Sequence, residues 1–191
     1  MRNLAETKNA FVPLKQFSTS VVRTVLVLLG GVGFVGLGAH LDIPMIPVPM
    51  SMQTYAVVVV GALAGWRLGG LTLVMYLAAG SAGAPLFAGG GSGTEHLLGN
   101  TGGYLLGFVL AAISVGYLAE RSWTQRNFGY ATTAMLFGHL IILVLGTLWL
   151  ATSIGLHRAI EAGMTPFLLG ALVKSLLAAV TVRVLMTASS R

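Results

Sequence analysis

Residues 165–186 read TPFLLGALVKSLLAAVTVRVLM, an apolar run with one lysine, Lys174, near its centre. About 20 apolar residues are enough for a helix to cross the hydrocarbon core of a bilayer. An ammonium group at such a helix centre costs roughly 2.5–3.5 kcal/mol, and the same run contains no acidic residue. The sequence therefore predicts a membrane-spanning helix in which Lys174 needs a partner, and a bound ligand is one candidate.

The composition places the whole chain in the membrane. Of its 191 residues, 55% are hydrophobic and 8% are charged, whereas a soluble domain carries about 25% charged residues. The apolar runs are continuous rather than alternating, which favours helices over a β-barrel. We therefore predict an all-α integral membrane protein. The net charge of +6 is scattered between the runs and does not indicate nucleic-acid binding.

Six membrane spans are predicted, and the positive charges orient them. The spans are expected at about 20–39, 52–66, 69–86, 102–119, 130–152 and 165–186. One side of this arrangement holds both termini and nine lysines and arginines, and the other side holds only Arg158. Lysine and arginine accumulate on the cytoplasmic side, so both termini are expected there. Residues 1–19 then form a cytoplasmic lead, 20–186 one six-helix membrane domain and 187–191 a cytoplasmic tail.

Two of the outer loops are unusual. Residues 42–49 contain three prolines and cannot be helical. Residues 79–93 are rich in glycine, which permits tight turns and close approach of the backbone to a ligand. We interpret the two as loops that cap an outward-facing ligand cavity, although ordinary surface connections would have the same composition.

The even-numbered spans begin on the outer side, so their positive helix ends face this cavity. Their first turns are polar, with Ser51, Asn100 or Thr101, and Thr165 as candidate N-caps. Gln53 and Thr54 lie beyond the cap and are better placed to contact a ligand, and Lys174 is about 12 Å inside its span. Two aromatic residues at the outer level, Tyr104 and Trp149, are candidates either for cavity walls or for the interfacial aromatic belt.

No catalytic or metal-binding constellation is visible. The chain has no cysteine, and its histidines and acids lack metal-ligand spacing. His139 is inside a span without a nearby acid, which favours an interhelical hydrogen bond over a proton relay. Val173 precedes Lys174 where a nucleotide-binding loop needs glycine. The chain is therefore not expected to be an enzyme or an ATPase, and no cofactor is expected.

Several motifs, in order, resemble the BioY family, the biotin-binding S components of energy-coupling-factor (ECF) transporters. They are found at residues 46–54 (IPVPMSMQT), 65–69 (GWRLG), 83–90 (GAPLFAGG), 99–108 (GNTGGYLLGF), 146–150 (GTLWL) and 166–174 (PFLLGALVK). The resemblance implies that Lys174 contacts biotin. It makes neighbouring residues of these motifs further candidates for substrate binding: Gln53, Thr54, Phe87, Gly90, Asn100, Thr101, Tyr104 and Trp149.

The same resemblance implies import of biotin through a bacterial cell (inner) membrane, together with a membrane-embedded T component and two ABC-type ATPases. One departure is Ala171, where the family usually carries an aspartate three positions before the lysine. Recognition of the ureido ring would then need another hydrogen-bond acceptor, or the affinity for biotin would be weaker. An S component for another small vitamin and a structural membrane subunit are the alternatives, and the glycine-rich first span would permit a homo-oligomer.

Overall fold

The computed structural model describes residues 20–121 and 127–189. Seven α-helices account for most of them: α1 Val21–His40, α2 Gln53–Ser81, α3 Thr94–Leu98, α4 Gly102–Glu120, α5 Phe128–Ile154, α6 Leu156–Gly163 and α7 Thr165–Ser189. Two short strands, β1 Asp42–Ile43 and β2 Met50–Ser51, pair antiparallel between α1 and α2. The predicted cytoplasmic lead 1–19 and the last two residues of the predicted tail lie outside the described ranges.

Within these ranges, five helices are long and apolar enough to cross a membrane: α1, α2, α4, α5 and α7. The prediction of a helical membrane protein is confirmed to this extent. The expected spans 52–66 and 69–86 correspond to the two parts of α2, but the second was predicted to end too late, since α2 ends at Ser81 and residues 82–86 belong to the following loop.

Helix α2 is interrupted at Gly65, whose backbone angles are φ 78° and ψ 175°. Only glycine adopts this region readily. A Cβ atom built on Gly69 would lie 3.0 Å from the Cα of Gly61, whereas eight residues of a straight helix extend over about 12 Å. The two halves of α2 therefore fold back on each other at Gly65. Close approach to the backbone of α4 at Ala112 also requires glycine at position 61.

The interior contains two clusters of buried apolar residues. One cluster, with Val35, Tyr76, Phe87 and Ile142 among its members, lies at the end of the bundle that carries the loops 41–52 and 82–101. The other cluster is centred on Val58, Val115, Met135 and Val182. The outward faces of α1 and α7 are apolar and exposed, as expected for helices that face lipid chains.

Candidate functional site

A cavity of about 380 Å³ lies at the end of the bundle where α2, α4 and α7 begin. Its walls come from these three helices, from the middle of α5 and from the loops 41–52 and 82–101. Binding sites for small molecules usually occupy about 300–1,000 Å³ and combine apolar walls with a few polar groups. The walls have that character: Phe87, Tyr104, Phe108 and Phe167 supply rings, and the polar groups come from fewer residues.

Most of the predicted binding residues meet at this cavity. Those that line it are Lys174, Gln53, Thr54, Phe87, Asn100, Thr101 and Tyr104. Gly90 and Trp149 are not part of the lining, although both contact segments that are. The prolyl loop also reaches the cavity through Pro47, Val48 and Pro49, as its interpretation as a capping loop requires.

Lys174 Nζ donates a hydrogen bond of 2.6 Å to the backbone carbonyl oxygen of Ser51, in strand β2. The side chain is half-buried and borders the cavity. A carbonyl oxygen satisfies one donor of the ammonium group but leaves its charge without a counterion. Two further N–H donors of the same group are available to a molecule in the cavity.

Gln53 is held by a chain of hydrogen bonds that connects the two capping loops. Ser51 Oγ donates to Gln53 Oε1 at 2.9 Å, Gln53 Nε2 donates to the hydroxyl of Tyr76, and that hydroxyl donates to the carbonyl oxygen of Leu86 at 2.6 Å. Gln53 is 4% exposed and Tyr76 is fully buried. The chain fixes the orientation of the Gln53 amide at the cavity wall and joins β2 to the glycine-rich loop.

The glycine-rich loop positions Phe87. The Phe87 N–H donates to the carbonyl oxygen of Gly91 at 2.9 Å, which closes a tight turn, and both Gly89 and Gly90 have positive φ angles in that turn. The Phe87 ring meets the Tyr76 ring edge-on, with centroids 5.7 Å apart. Gly90 therefore shapes the turn that places Phe87 at the cavity, but Gly90 does not line the cavity itself.

Tyr104 occupies a slot between α5 and the start of α7. Its ring lies against Gly146, where a Cβ atom would collide with it, and 6.2 Å from the Phe167 ring. Its hydroxyl donates to the carbonyl oxygen of Gly163 at 2.6 Å. The polar end of the ring is thus bonded to the protein, and the residue offers the cavity mainly a ring surface.

Trp149 packs against the start of α4 and the loop that precedes it. Its Nε1–H donates to the carbonyl oxygen of Gly99 at 3.0 Å, and its side chain lies against Gly102 and Gly103. It therefore holds Asn100 and Thr101 in position without itself reaching the cavity.

The hydroxyl groups predicted as N-caps act differently. Thr101 occupies the N-cap position of α4, but its Oγ1 donates to the carbonyl oxygen of His96 at 3.1 Å. Thr165 Oγ1 likewise donates to the carbonyl oxygen of Ile160 at 3.0 Å. Both hydroxyl groups therefore bond the end of the preceding short helix rather than the start of the next one, and the Ile160 carbonyl oxygen accepts the Met164 N–H as well. Of the predicted caps, Ser51 Oγ alone accepts a bond from the helix start, at 3.4 Å from the Gln53 nitrogen.

His139 makes the interhelical contact that the sequence predicts. Its Nδ1 lies 2.9 Å from Ser175 Oγ on α7 and 3.0 Å from the carbonyl oxygen of Met135 on its own helix. The side chain also borders the cavity. Sequence reasoning placed His139 between helices but not at the site, because nothing local distinguishes the two positions.

Other lining residues were not predicted either. They include Glu95, His96, Leu105, Phe108, Ile142, Leu143 and Phe167, and Ala171, the departure from the family pattern, also lines the cavity. Ala171 and Phe167 lie one and two turns before Lys174 on α7, so both are on the same side of the helix as Lys174. The place of Glu95 and His96 depends on the fold of the loop that carries α3.

Comparison with known proteins shows which family the sequence matches. A model of the BioY family matches residues 7–191. The biotin transporter BioY2 of Lactococcus lactis is 33% identical over 166 residues, which cover 84% of this chain and 87% of that protein. The biotin transporter BioY of Thermotoga maritima is 35% identical over 74% of this chain and 83% of that protein.

The fold is also similar to a solved structure. The crystal structure of the S-component for biotin from an ECF-type ABC transporter superposes with a TM-score of 0.78 at 26% sequence identity. The match covers 87% of this chain and 92% of that one.

Proposed function

Because the chain belongs to the BioY family, we propose that it is the biotin-binding S component of an ECF-type importer. The observation that carries this proposal is the cavity of about 380 Å³, in which aromatic walls surround a lysine whose side chain bonds a neutral carbonyl oxygen. Biotin is a bicyclic, largely apolar molecule with a ureido group and a carboxylate, so each part has a complementary surface in the cavity. The chain is a transport protein rather than an enzyme.

Biotin is captured from the outer side of a bacterial cell membrane. The cavity opens at the bundle end that carries loops 41–52 and 82–101, opposite the turn at Gly65 and Arg67. The excess of lysine and arginine on the side of that turn and of the termini supports a cytoplasmic position for them. The fold-back at Gly65 supports six spans, with α2 providing two of them.

Seven residues of the lining contact biotin in this proposal: Lys174, Gln53, Thr54, Phe87, Asn100, Thr101 and Tyr104. Gly90 and Trp149 act indirectly, through the turn of Phe87 and the loop before α4. Release of biotin to the cytoplasm then requires a T component and two ABC-type ATPases, since the sequence of this chain contains no nucleotide-binding loop.

The experiment that tests the proposal is binding of radiolabelled biotin to the purified protein in lipid nanodiscs. One molecule of biotin per protein, displaced by unlabelled biotin but not by thiamin or riboflavin, is the expected result. A folded protein that binds no biotin would contradict it. Displacement by another vitamin would identify an S component of different specificity.

The proposed orientation has its own test, because the sequence lacks cysteine. Single cysteines introduced as Thr94→Cys and Arg67→Cys, at exposed positions of opposite ends of the bundle, report their side of the membrane. A membrane-impermeant maleimide applied to intact cells should label the first and reach the second only after permeabilisation. The reverse pattern would place the cavity inside.

A further inference from the structure

His139 Nε2 is a buried polar atom without a hydrogen-bond partner among the described residues. The residue is 2% exposed and is one of those that line the cavity. Buried polar side chains almost always have a partner, and an exception calls for an explanation. A ligand that fills the cavity can supply one.

The contacts of the other ring nitrogen define what Nε2 can do. Nδ1 lies 3.0 Å from the carbonyl oxygen of Met135, and a carbonyl oxygen can only accept, so the proton of the ring is on Nδ1. Ser175 Oγ, at 2.9 Å from Nδ1, holds the ring from the side of α7. A second proton would add a positive charge to a buried site that already holds Lys174. The ring is therefore neutral, and Nε2 is a hydrogen-bond acceptor.

We propose that His139 Nε2 accepts a hydrogen bond from an N–H group of the bound molecule, which is a ureido N–H of biotin if the function proposed above holds. A urea places N–H donors on both sides of a carbonyl acceptor. Lys174, the neighbour of Ser175 on α7, is a donor, and His139 is an acceptor. The two together complement a ureido group, whereas a carboxylate offers no donor to His139. His139 thus selects for ligands that carry an N–H group in the part bound beside Lys174.

Two biotin derivatives, each methylated at one of the two ureido nitrogens, test the proposal. The affinities of the wild type and of the His139 variants are measured for biotin and for each derivative and then compared. The expected wild-type result is a loss of affinity of about tenfold or more for one derivative, since a buried hydrogen bond is removed. His139→Leu should bind biotin about tenfold more weakly than wild type and should discriminate little against that derivative. His139→Gln, which carries an acceptor near the position of Nε2, should regain both the affinity and the discrimination.

Thr181→Ala is the matched control, because it removes a side-chain hydrogen bond of α7, between Thr181 Oγ1 and the Tyr55 hydroxyl, at a residue that does not line the cavity. It should retain the discrimination between biotin and its derivative. Thermal unfolding of each purified variant in nanodiscs monitors the fold; if His139→Leu does not fold, the result for His139→Gln decides, and loss of discrimination there overturns the proposal.

The outcomes separate this proposal from the proposed function. Wild-type protein that binds no biotin overturns both. Wild-type protein that binds biotin, with a folded His139→Leu variant of equal affinity and equal discrimination against both derivatives, overturns only the role of His139.

Discussion

Lys174 and Ser51, which are 123 positions apart in the chain, are joined at the cavity wall by the 2.6 Å hydrogen bond from Nζ to the carbonyl oxygen. The bond connects the middle of α7 to strand β2 and so to the prolyl loop. Its protein partner is a neutral carbonyl, and no carboxylate among the described residues lies within 4 Å of the ammonium group, although Glu95 lines the same cavity. An anionic or strongly accepting group of a ligand is the partner that would stabilise it most.

Replacement of this cation is therefore expected to weaken binding more than folding. Lys174→Met keeps a flexible side chain of similar length but removes the charge and its donors. A hydrogen bond to a charged group contributes about 1.5–3 kcal/mol, which corresponds to a loss of roughly 10–150-fold in biotin affinity. Equilibrium binding to the purified variant measures the effect, and size-exclusion profiles establish that it is folded.

Arg183→Met is the matched control for that substitution. Arg183 is half-buried on the same helix but is not part of the cavity lining. Its replacement removes one positive charge from α7 and should leave biotin affinity within about twofold of wild type, since the screened interaction of a distant charge is weak. Equal affinity of the well-folded Lys174→Met protein and the wild type would refute a direct role for Lys174.

The hydroxyl of Tyr76 makes a second prediction possible, about the connection between the capping loops. Tyr76→Phe leaves Gln53 Nε2 and the Leu86 carbonyl oxygen each without this buried hydrogen-bond partner, while Gln53 Oε1 keeps its bond from Ser51 Oγ. Each orphaned group costs about 1–3 kcal/mol, so the unfolding temperature should fall and biotin affinity should decrease with the loss of order at Gln53.

Tyr55→Phe provides the comparison for Tyr76→Phe. The Tyr55 hydroxyl bonds Thr181 Oγ1 at 2.9 Å, and neither residue lines the cavity. This variant should lose a single hydrogen bond, about 0.5–1.5 kcal/mol, and bind biotin normally. Differential scanning fluorimetry, with and without biotin, measures the unfolding temperature of each variant and its shift by biotin. If Tyr76→Phe and Tyr55→Phe change both quantities equally, the hydrogen bonds through Gln53 have no special role in binding.

Local sequence features predicted much of the helical fold and of the cavity. The isolated lysine and the prolyl and glycyl loops are visible in sequence because each breaks the composition of its surroundings. The place of Trp149 was not predictable, since it depends on the Gly99 carbonyl, 50 positions away. The same holds for His139, whose role follows from Ser175 on another helix. Contacts between distant segments decide both, and a single sequence contains no direct record of them.

The turn at Gly65, which the sequence predicts between the expected spans 52–66 and 69–86, makes a third prediction possible. An alanine at φ 78° and ψ 175° is strained by about 1–3 kcal/mol, and its Cβ would in addition collide with the side chain of Glu120. Gly65→Ala should therefore lower the unfolding temperature. Gly30→Ala, on the open face of α1 where no atom lies within 4 Å, should not. Equal stability of the two variants would show that the fold-back tolerates a side chain.

The packing of Tyr104 between α5 and α7 leads to a last prediction. It compares the effect on biotin affinity of a methyl group added beside the Tyr104 ring with that of a methyl group added far from it. Gly146→Ala places a Cβ atom against the Tyr104 ring, which must move towards the cavity or give up its bond to Gly163. Overpacking of this kind typically costs 1–3 kcal/mol, and we expect biotin affinity to fall at least about tenfold because the displaced ring narrows the cavity. Gly33→Ala, also mid-helix but facing open space, controls for the general effect of alanine in a spanning helix and should bind normally. Isothermal titration of both variants decides: if Gly146→Ala binds as tightly as Gly33→Ala, the Tyr104 ring is not a wall of the occupied site.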